Sequence, residues 1–206
     1  SPVLISAPHG AVHTRDGRSK DEDEYTAGIA RLLGERTNGH VLYSRRKSTT
    51  DPNADPHAPY KKYLEEIISN NQIKFVIDLH GAKDTRPFGI ALGTMRGKSC
   101  IKDERQVIIK TLENFGFSEN NTGLLCLDID NELPAMGDET RIPITRFCHD
   151  LKVSAAQIEL NANLRIPKRR ENATNSKVPF EGNKELIEKT IVALSEIVSS
   201  LEKRYS

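Results

Sequence analysis

Short apolar runs alternate along the chain with longer stretches in which apolar residues recur every three or four positions. The runs lie at 2–7 (PVLISA), 41–43 (VLY), 74–79 (KFVIDL), 88–92 (FGIAL), 124–129 (LLCLDI) and 155–160 (AAQIEL). Their brevity and their Val, Ile and Leu content predict strands, the more continuous ones buried on both faces. Between them, Tyr25, Ile29, Leu32 and Leu33 form one helical stripe, and Tyr60, Tyr63, Leu64, Ile67 and Ile68 form another. Such spacing gathers side chains on one face of a helix, so both stripes are expected to cover the sheet. A third helix is predicted over 102–115, with Val107, Ile108, Leu112 and Phe115 inward and Gly116 placed to end it. The last, over 183–203, repeats Ile187, Ile191, Leu194, Val198 and Leu201 at spacings of four and three.

This alternation predicts an α/β fold: a single three-layer domain over residues 1–206, with a mixed, mostly parallel sheet flanked by helices. A chain of 206 residues suits one domain with a sizeable core. Two segments, 46–60 and 165–182, are rich in Pro, Asn, Asp and basic residues and read as loops, either walls of a site or plain surface excursions.

Composition narrows the function. Thirty basic residues against 29 acidic ones leave a net charge of +1, with no long basic stripe to neutralise nucleic-acid phosphates. No apolar run approaches the roughly 20 residues of a membrane helix, and no secretion-signal pattern opens the chain, so a soluble, cytoplasmic protein is expected. Cys100, Cys126 and Cys148 stand far apart with no C-x-x-C pair, which fits a reducing compartment better than disulfides or a thiolate zinc site. Cys148 and His149 are adjacent in sequence, and adjacent side chains point apart, so they are not expected to form a catalytic dyad.

The chemistry begins with two of the apolar runs, which end on His-Gly at His9 and at His80. Ligands of open α/β sheets gather beyond the carboxyl ends of the strands, where these imidazoles are expected. Glu159 stands inside the last run, with Gln157 on its face and Ile158 and Leu160 opposite; a carboxylate there needs a partner or a role. Together with the acidic cluster at 21–24, these residues supply the parts of a catalytic zinc site. Those parts are two imidazoles and a carboxylate as ligands, an open position for water, and a separate general base. A structural role for each histidine is the competing reading, since ligands drawn from separate segments have no diagnostic spacing.

The blocks LISAPHG, DEYT, LYSRRKSTTDPN, FVIDLHGA, ALGTMRGKSC, ITRF and AAQIELN follow in this order from about residue 3 to residue 161. In that order they resemble the N-formylglutamate amidohydrolase family, related in fold to zinc carboxypeptidases and aspartoacylases. The resemblance implies a zinc-carboxypeptidase-like fold of the phosphorylase/hydrolase type. It also implies one Zn2+ per chain, held by His9, Asp23 and His80, with Glu24 the adjacent alternative to Asp23. Neighbours on a helix diverge by about 100°, so only one of those two points inward. Glu159 would be the general base, taking a proton from water that attacks the amide bond of a small N-acyl amino acid.

Arg45 of YSR and Arg146 of ITR match family positions suited to binding substrate, and Asn53 matches an Asn of the family's DLNR block. Two departures bear on substrate identity and leave the metal chemistry intact. Ala54 stands where that block carries Arg, and GDETRIPITR lacks the pair of glycines that usually precedes ITR.

Other candidates have plainer readings. Asp78 either orients the imidazole of His80 or caps a turn. His13 is expected in solvent, and His40, His57 and His149 as structural or surface residues. Lys168, Arg169 and Arg170 either steer an anionic substrate or form a solvated run. Two rivals stand beside a small-molecule amide hydrolase: a zinc carboxypeptidase acting on peptides or cell-wall peptides, marked by a roomy groove, and a non-catalytic binding module. The module would be marked by loss of a ligand or of the base, and none of these is missing here.

Overall fold

Buried alternation along the strands decides the architecture. In the computed structural model, which describes residues 1–169 and 179–205, six strands form one sheet in the order β4-β1-β5-β8-β6-β7. They are β1 (Val3–Ala7), β4 (His40–Tyr43), β5 (Phe75–Ala82), β6 (Phe88–Gly93), β7 (Gly123–Ile129) and β8 (Ser154–Asn161). All pairings are parallel except β6 with β8, so the sheet is mixed and mostly parallel.

Odd positions of β1 and β5, such as Ile5, Ile77 and Leu79, join Ile158 and Leu160 of β8 in the larger core. There they pack against α1 (Thr26–Thr37), α3 (Lys102–Asn114) and α5 (Lys184–Tyr205). On the opposite face Leu4, Val76 and Ala155 meet α2 (Pro59–Asn71) and α4 (Ile144–Asp150). The result is the expected three layers. Each fully buried Leu or Ile here contributes about 1.5–3 kcal/mol, which fixes the strand register against slippage.

That register places the chemistry. Two residues beyond the apolar Leu4, Val76 and Ala155, the same face carries Ser6, Asp78 and Gln157 side by side; beyond those, His80 pairs with Glu159. The second face thus changes from apolar to polar toward the carboxyl ends of the strands. The chain leaves β1 for β4 on one side and returns to β5 on the other, so the β1/β5 boundary is a topological switch point, where ligands of such sheets bind.

Several details differ from the sequence pattern. Tyr63 is 58% exposed, whereas Tyr60, Leu64 and Ile68 are buried. A turn of about 100° per residue carries Tyr63 to the outer edge of the α2 stripe. Two elements were not foreseen: the short helix α4 and a two-stranded ribbon of β2 (His13–Arg15) and β3 (Arg18–Lys20). β5 also runs through His80 to Ala82, so this histidine lies within the strand and not after it. Arg170 of the basic run lies outside the described residues. Among the described residues, no helix is long and apolar enough to cross a membrane.

Candidate metal centre

His9 sits in the turn after β1, whose shape is set by Gly10 N–H to Ala7 C=O at 3.2 Å and by Ser44 N–H to the same carbonyl at 3.2 Å. A side chain at Gly10 is excluded, because a Cβ there would lie 2.7 Å from Ala27 Cβ and 2.8 Å from Ser44 O. Asp23 returns to this turn through its N–H, which donates to His9 C=O at 2.8 Å. The chain then enters α1 through Tyr25 at φ 68°, a left-handed conformation costing about 1–3 kcal/mol in a bulky residue. The Tyr25 hydroxyl donates to Lys168 C=O at 2.6 Å, one of the contacts that holds this geometry.

Three ligating atoms converge. His9 Nδ1 and His80 Nδ1 are 3.1 Å apart, and each lies 3.4 Å from Asp23 Oδ2. Ligands at about 2.0–2.1 Å from a tetrahedral zinc are separated by about 3.3–3.4 Å, so the three atoms are spaced as three corners of such a site would be. The outer nitrogens are held as well. His9 Nε2 is 2.9 Å from Asp51 Oδ1, and His80 Nε2 is 2.9 Å from Asp78 Oδ2. A carboxylate behind each imidazole fixes the ring and its tautomer, as metal-ligating histidines require. Asp78 therefore orients His80, the first of its two sequence readings.

Charge supports the same fit. Burial opposes protonation of His9, but hydrogen bonds to Asp23 and Asp51 more than offset it and raise its pKa. Burial likewise opposes charge on His80, yet Asp78 and Asp23 lift its pKa well above the usual imidazole range. Burial would raise the Asp23 carboxyl, but His80 and His9 pull it below the ordinary carboxylate range. Two imidazoles ringed by carboxylates thus favour positive charge at this spot, where a divalent cation would sit.

Glu24 points elsewhere: Arg169 Nε donates to its two oxygens at 3.3 and 3.1 Å. Of the two acidic alternatives, Asp23 is the one brought to the histidines. Glu159 lies beside His80 in the β5/β8 register, and Gln157 Nε2 donates to its Oε1 at 3.0 Å. Burial raises the Glu159 pKa, the nearby Asp23 adds to the rise, and His80 opposes it.

His13 corrects the sequence reading, being 2% exposed and not in solvent. The β2–β3 ribbon folds its ring onto His9, with centroids 4.1 Å apart and planes within 4°. Burial and the adjacent His9 pull its pKa down to about 4. His9, His13 and Asp51 form a second cluster of ligating atoms. It uses the outer nitrogen of His9 and a carboxylate that Arg15 already pairs with. With its carboxylate already paired to Arg15, this cluster is suited to support His9. Asp51 itself was missed, read only as part of a polar loop. Asp51→Asn is expected to weaken zinc binding about 10–100-fold in a chelator competition, and an unchanged affinity would remove Asp51 from the support of His9.

The three expected substrate contacts are placed elsewhere. Arg45 is exposed beyond the end of edge strand β4, and Arg146 donates to Asp138 C=O at 2.7 Å. Asn53 Oδ1 accepts the Ile144 N–H at 2.9 Å and so caps the start of α4. The cleft beside this triangle has a volume of about 910 Å³; Asp23, Gly81 and Glu159 line it, and its cations are Arg15, Lys20, Lys83 and Arg86.

By sequence, no protein-family model and no curated protein matches the chain. Among solved structures, it is similar to N-formylglutamate amidohydrolase from Ralstonia eutropha JMP134, at 14% identity and a TM-score of 0.59. That alignment covers 98% of this chain and 93% of that one. A bacteriophage poly-gamma-glutamate hydrolase aligns at 12% identity and a TM-score of 0.52, over 98% of this chain and 84% of that one. A metallo-carboxypeptidase from Burkholderia cenocepacia aligns at 11% identity and 0.51, over 99% of this chain and 57% of that one. The fold is thus shared with an N-formylglutamate amidohydrolase and a metallo-carboxypeptidase, as the sequence resemblance implied. At the level of the fold, the likeness to N-formylglutamate amidohydrolase extends over nearly the whole chain.

Proposed function

We propose that this protein is a metal-dependent hydrolase of amide bonds, with His9, Asp23 and His80 as the metal ligands and Glu159 as the general base. The observation that carries the reading is the triangle of His9 Nδ1, His80 Nδ1 and Asp23 Oδ2, with Glu159 beside it on the wall of an open cleft. Two imidazoles and one carboxylate are a donor set that suits zinc. A zinc ion bound there would supply Lewis acidity, making water a stronger acid and the amide carbonyl a better electrophile.

The protein's own groups do the rest. Glu159 accepts the proton of the attacking water and passes it to the leaving nitrogen as the C–N bond breaks. A carboxyl whose pKa is raised by burial suits that double duty, because it must both take and return the proton. Gln157 engages one carboxylate oxygen and leaves the other for the transfer. Asp51 and Asp78 keep the outer imidazole nitrogens occupied, so that the inner ones face the triangle.

The substrate is an N-acyl amino acid or related small amide bearing a carboxylate, held by the cleft's cations instead of Arg45, Arg146 and Asn53. Arg15 and Arg86 have the fork geometry that carboxylates favour, and Lys20 and Lys83 add charge at the rim. The reading carries with it a cytoplasmic enzyme with one zinc per chain. A cleft of about 910 Å³ lies near the upper end of small-molecule sites, about 300–1,000 Å³, and this favours a second reading, a peptide-like substrate with several acidic residues. Incubating the zinc-loaded protein with N-formyl, N-acetyl and succinyl amino acids and with short acidic peptides, and measuring free amine, separates the two. Release from the small amides supports the first reading, release only from peptides supports the second, and no release from any supports a binding module.

A further inference from the structure

Arg165 lies just past the end of β8, after the single 3-10 turn Ala162–Leu164, and its side chain is buried, with the residue 6% exposed. Its guanidinium donates to three backbone carbonyls on three separate segments. Nη1 reaches Glu24 C=O at 2.5 Å, Nη2 reaches Ala82 C=O at 3.2 Å and Nε reaches Leu160 C=O at 3.2 Å. Each carbonyl lies one or two residues past a proposed functional side chain: Asp23, His80 and Glu159 respectively.

The segment between His80 and Ala82 shows how close this packing is. A Cβ on Gly81 would fall 2.6 Å from Arg165 Cζ, so the glycine lets the guanidinium lie against the strand. The Gly81 N–H in turn donates to Asp23 Oδ2 at 3.0 Å, the oxygen that faces both histidines. A buried cation is costly unless compensated, and among the described residues no carboxylate is shown bonded to it. Burial pulls its pKa below the usual guanidinium value, and the field of Asp23, Glu24 and Glu159 offsets only part of that loss of solvent. No other described side chain is shown bonded to all three segments.

We infer that Arg165 is a positioning residue that locks the strand and loop ends carrying Asp23, His80 and Glu159 into one geometry. The inference rests on the metal reading above. A fork of five N–H donors with fixed directions reaches three carbonyls at once, which a lysine ammonium on a flexible stem does not reproduce. Residues that hold metal ligands in place typically matter about 10–100-fold in metal affinity.

The test compares zinc affinity, by chelator competition, and the thermal midpoint of the metal-free protein for wild type, Arg165→Met and Arg165→Lys. The methionine keeps most of the packing, and the lysine keeps the charge should the methionine variant not fold. The expected result is a loss of at least about tenfold in zinc affinity in folded Arg165→Met, partly restored in Arg165→Lys. A residue that only stabilises the fold would lower the thermal midpoint and leave the affinity of the folded variants unchanged, and that result overturns the inference. A wild-type protein that takes up no zinc ends the metal reading and this inference with it; zinc-binding variants that match wild type end the inference alone.

Discussion

Replacing His80 by alanine is expected to strip the protein of metal. Wild-type protein purified without added metal should carry about one zinc per chain, and the variant only a small fraction of that, because two remaining ligands hold zinc poorly. The loss should exceed that of any outer-sphere change, such as Asp51→Asn, since His80 Nδ1 forms one corner of the ligand triangle. His13→Ala is the matching control. That ring stacks on His9 without forming part of the triangle, so the variant should keep most of its zinc. Metal content measured by elemental analysis on both variants decides between the two clusters that share His9. Retention in His80→Ala with loss in His13→Ala would move the site to His9, His13 and Asp51.

The second large effect is expected at Glu159. Glu159→Gln keeps shape and size, and the Gln157 amide can still donate to the new side-chain oxygen, so the fold and the zinc content should be unchanged. Turnover of the substrate found in the amide screen should fall by at least about a hundredfold, the usual worth of a positioned general base. The separation of effects matters as much as their size. His80→Ala removes metal and activity together, whereas Glu159→Gln removes activity alone. Full turnover in Glu159→Gln would take the carboxylate out of the mechanism while leaving the metal site standing.

Much of this was legible in the sequence because burial writes periodicity. The apolar runs ending at His9 and His80 became β1 and β5, adjacent and parallel, so two histidines 71 residues apart meet at one end of the sheet, His80 within its strand and His9 in the turn that follows β1. Glu159 was legible for a related reason: a carboxylate alternating with Ile158 and Leu160 had to emerge on the opposite, polar end of the sheet. The long α5 followed directly from its stripe.

What stayed hidden depends on loops. Asp51 lies in a segment whose composition says only that it turns, and nothing local says that it turns toward His9. His13 depended on a ribbon of two three-residue strands, one fully exposed, too short to leave a periodic trace. Seven-residue α4 was hidden for the same reason, and with it the capping role of Asn53. Arg165 opened a segment read only as a loop; two of the three carbonyls it meets, those of Glu24 and Ala82, are distant in sequence, and no local pattern encodes them. The arginines chosen by resemblance, Arg45 and Arg146, fall outside the cleft, whereas Arg15, on the unforeseen ribbon, lines it.

The central claim is tested most directly by crystals grown with zinc and measured at its absorption edge. The account predicts one strong anomalous peak per chain, about 2.0–2.2 Å from His9 Nδ1, His80 Nδ1 and Asp23 Oδ2. A peak lodged between His13 and Asp51, or no peak in fully zinc-exposed crystals, would contradict it.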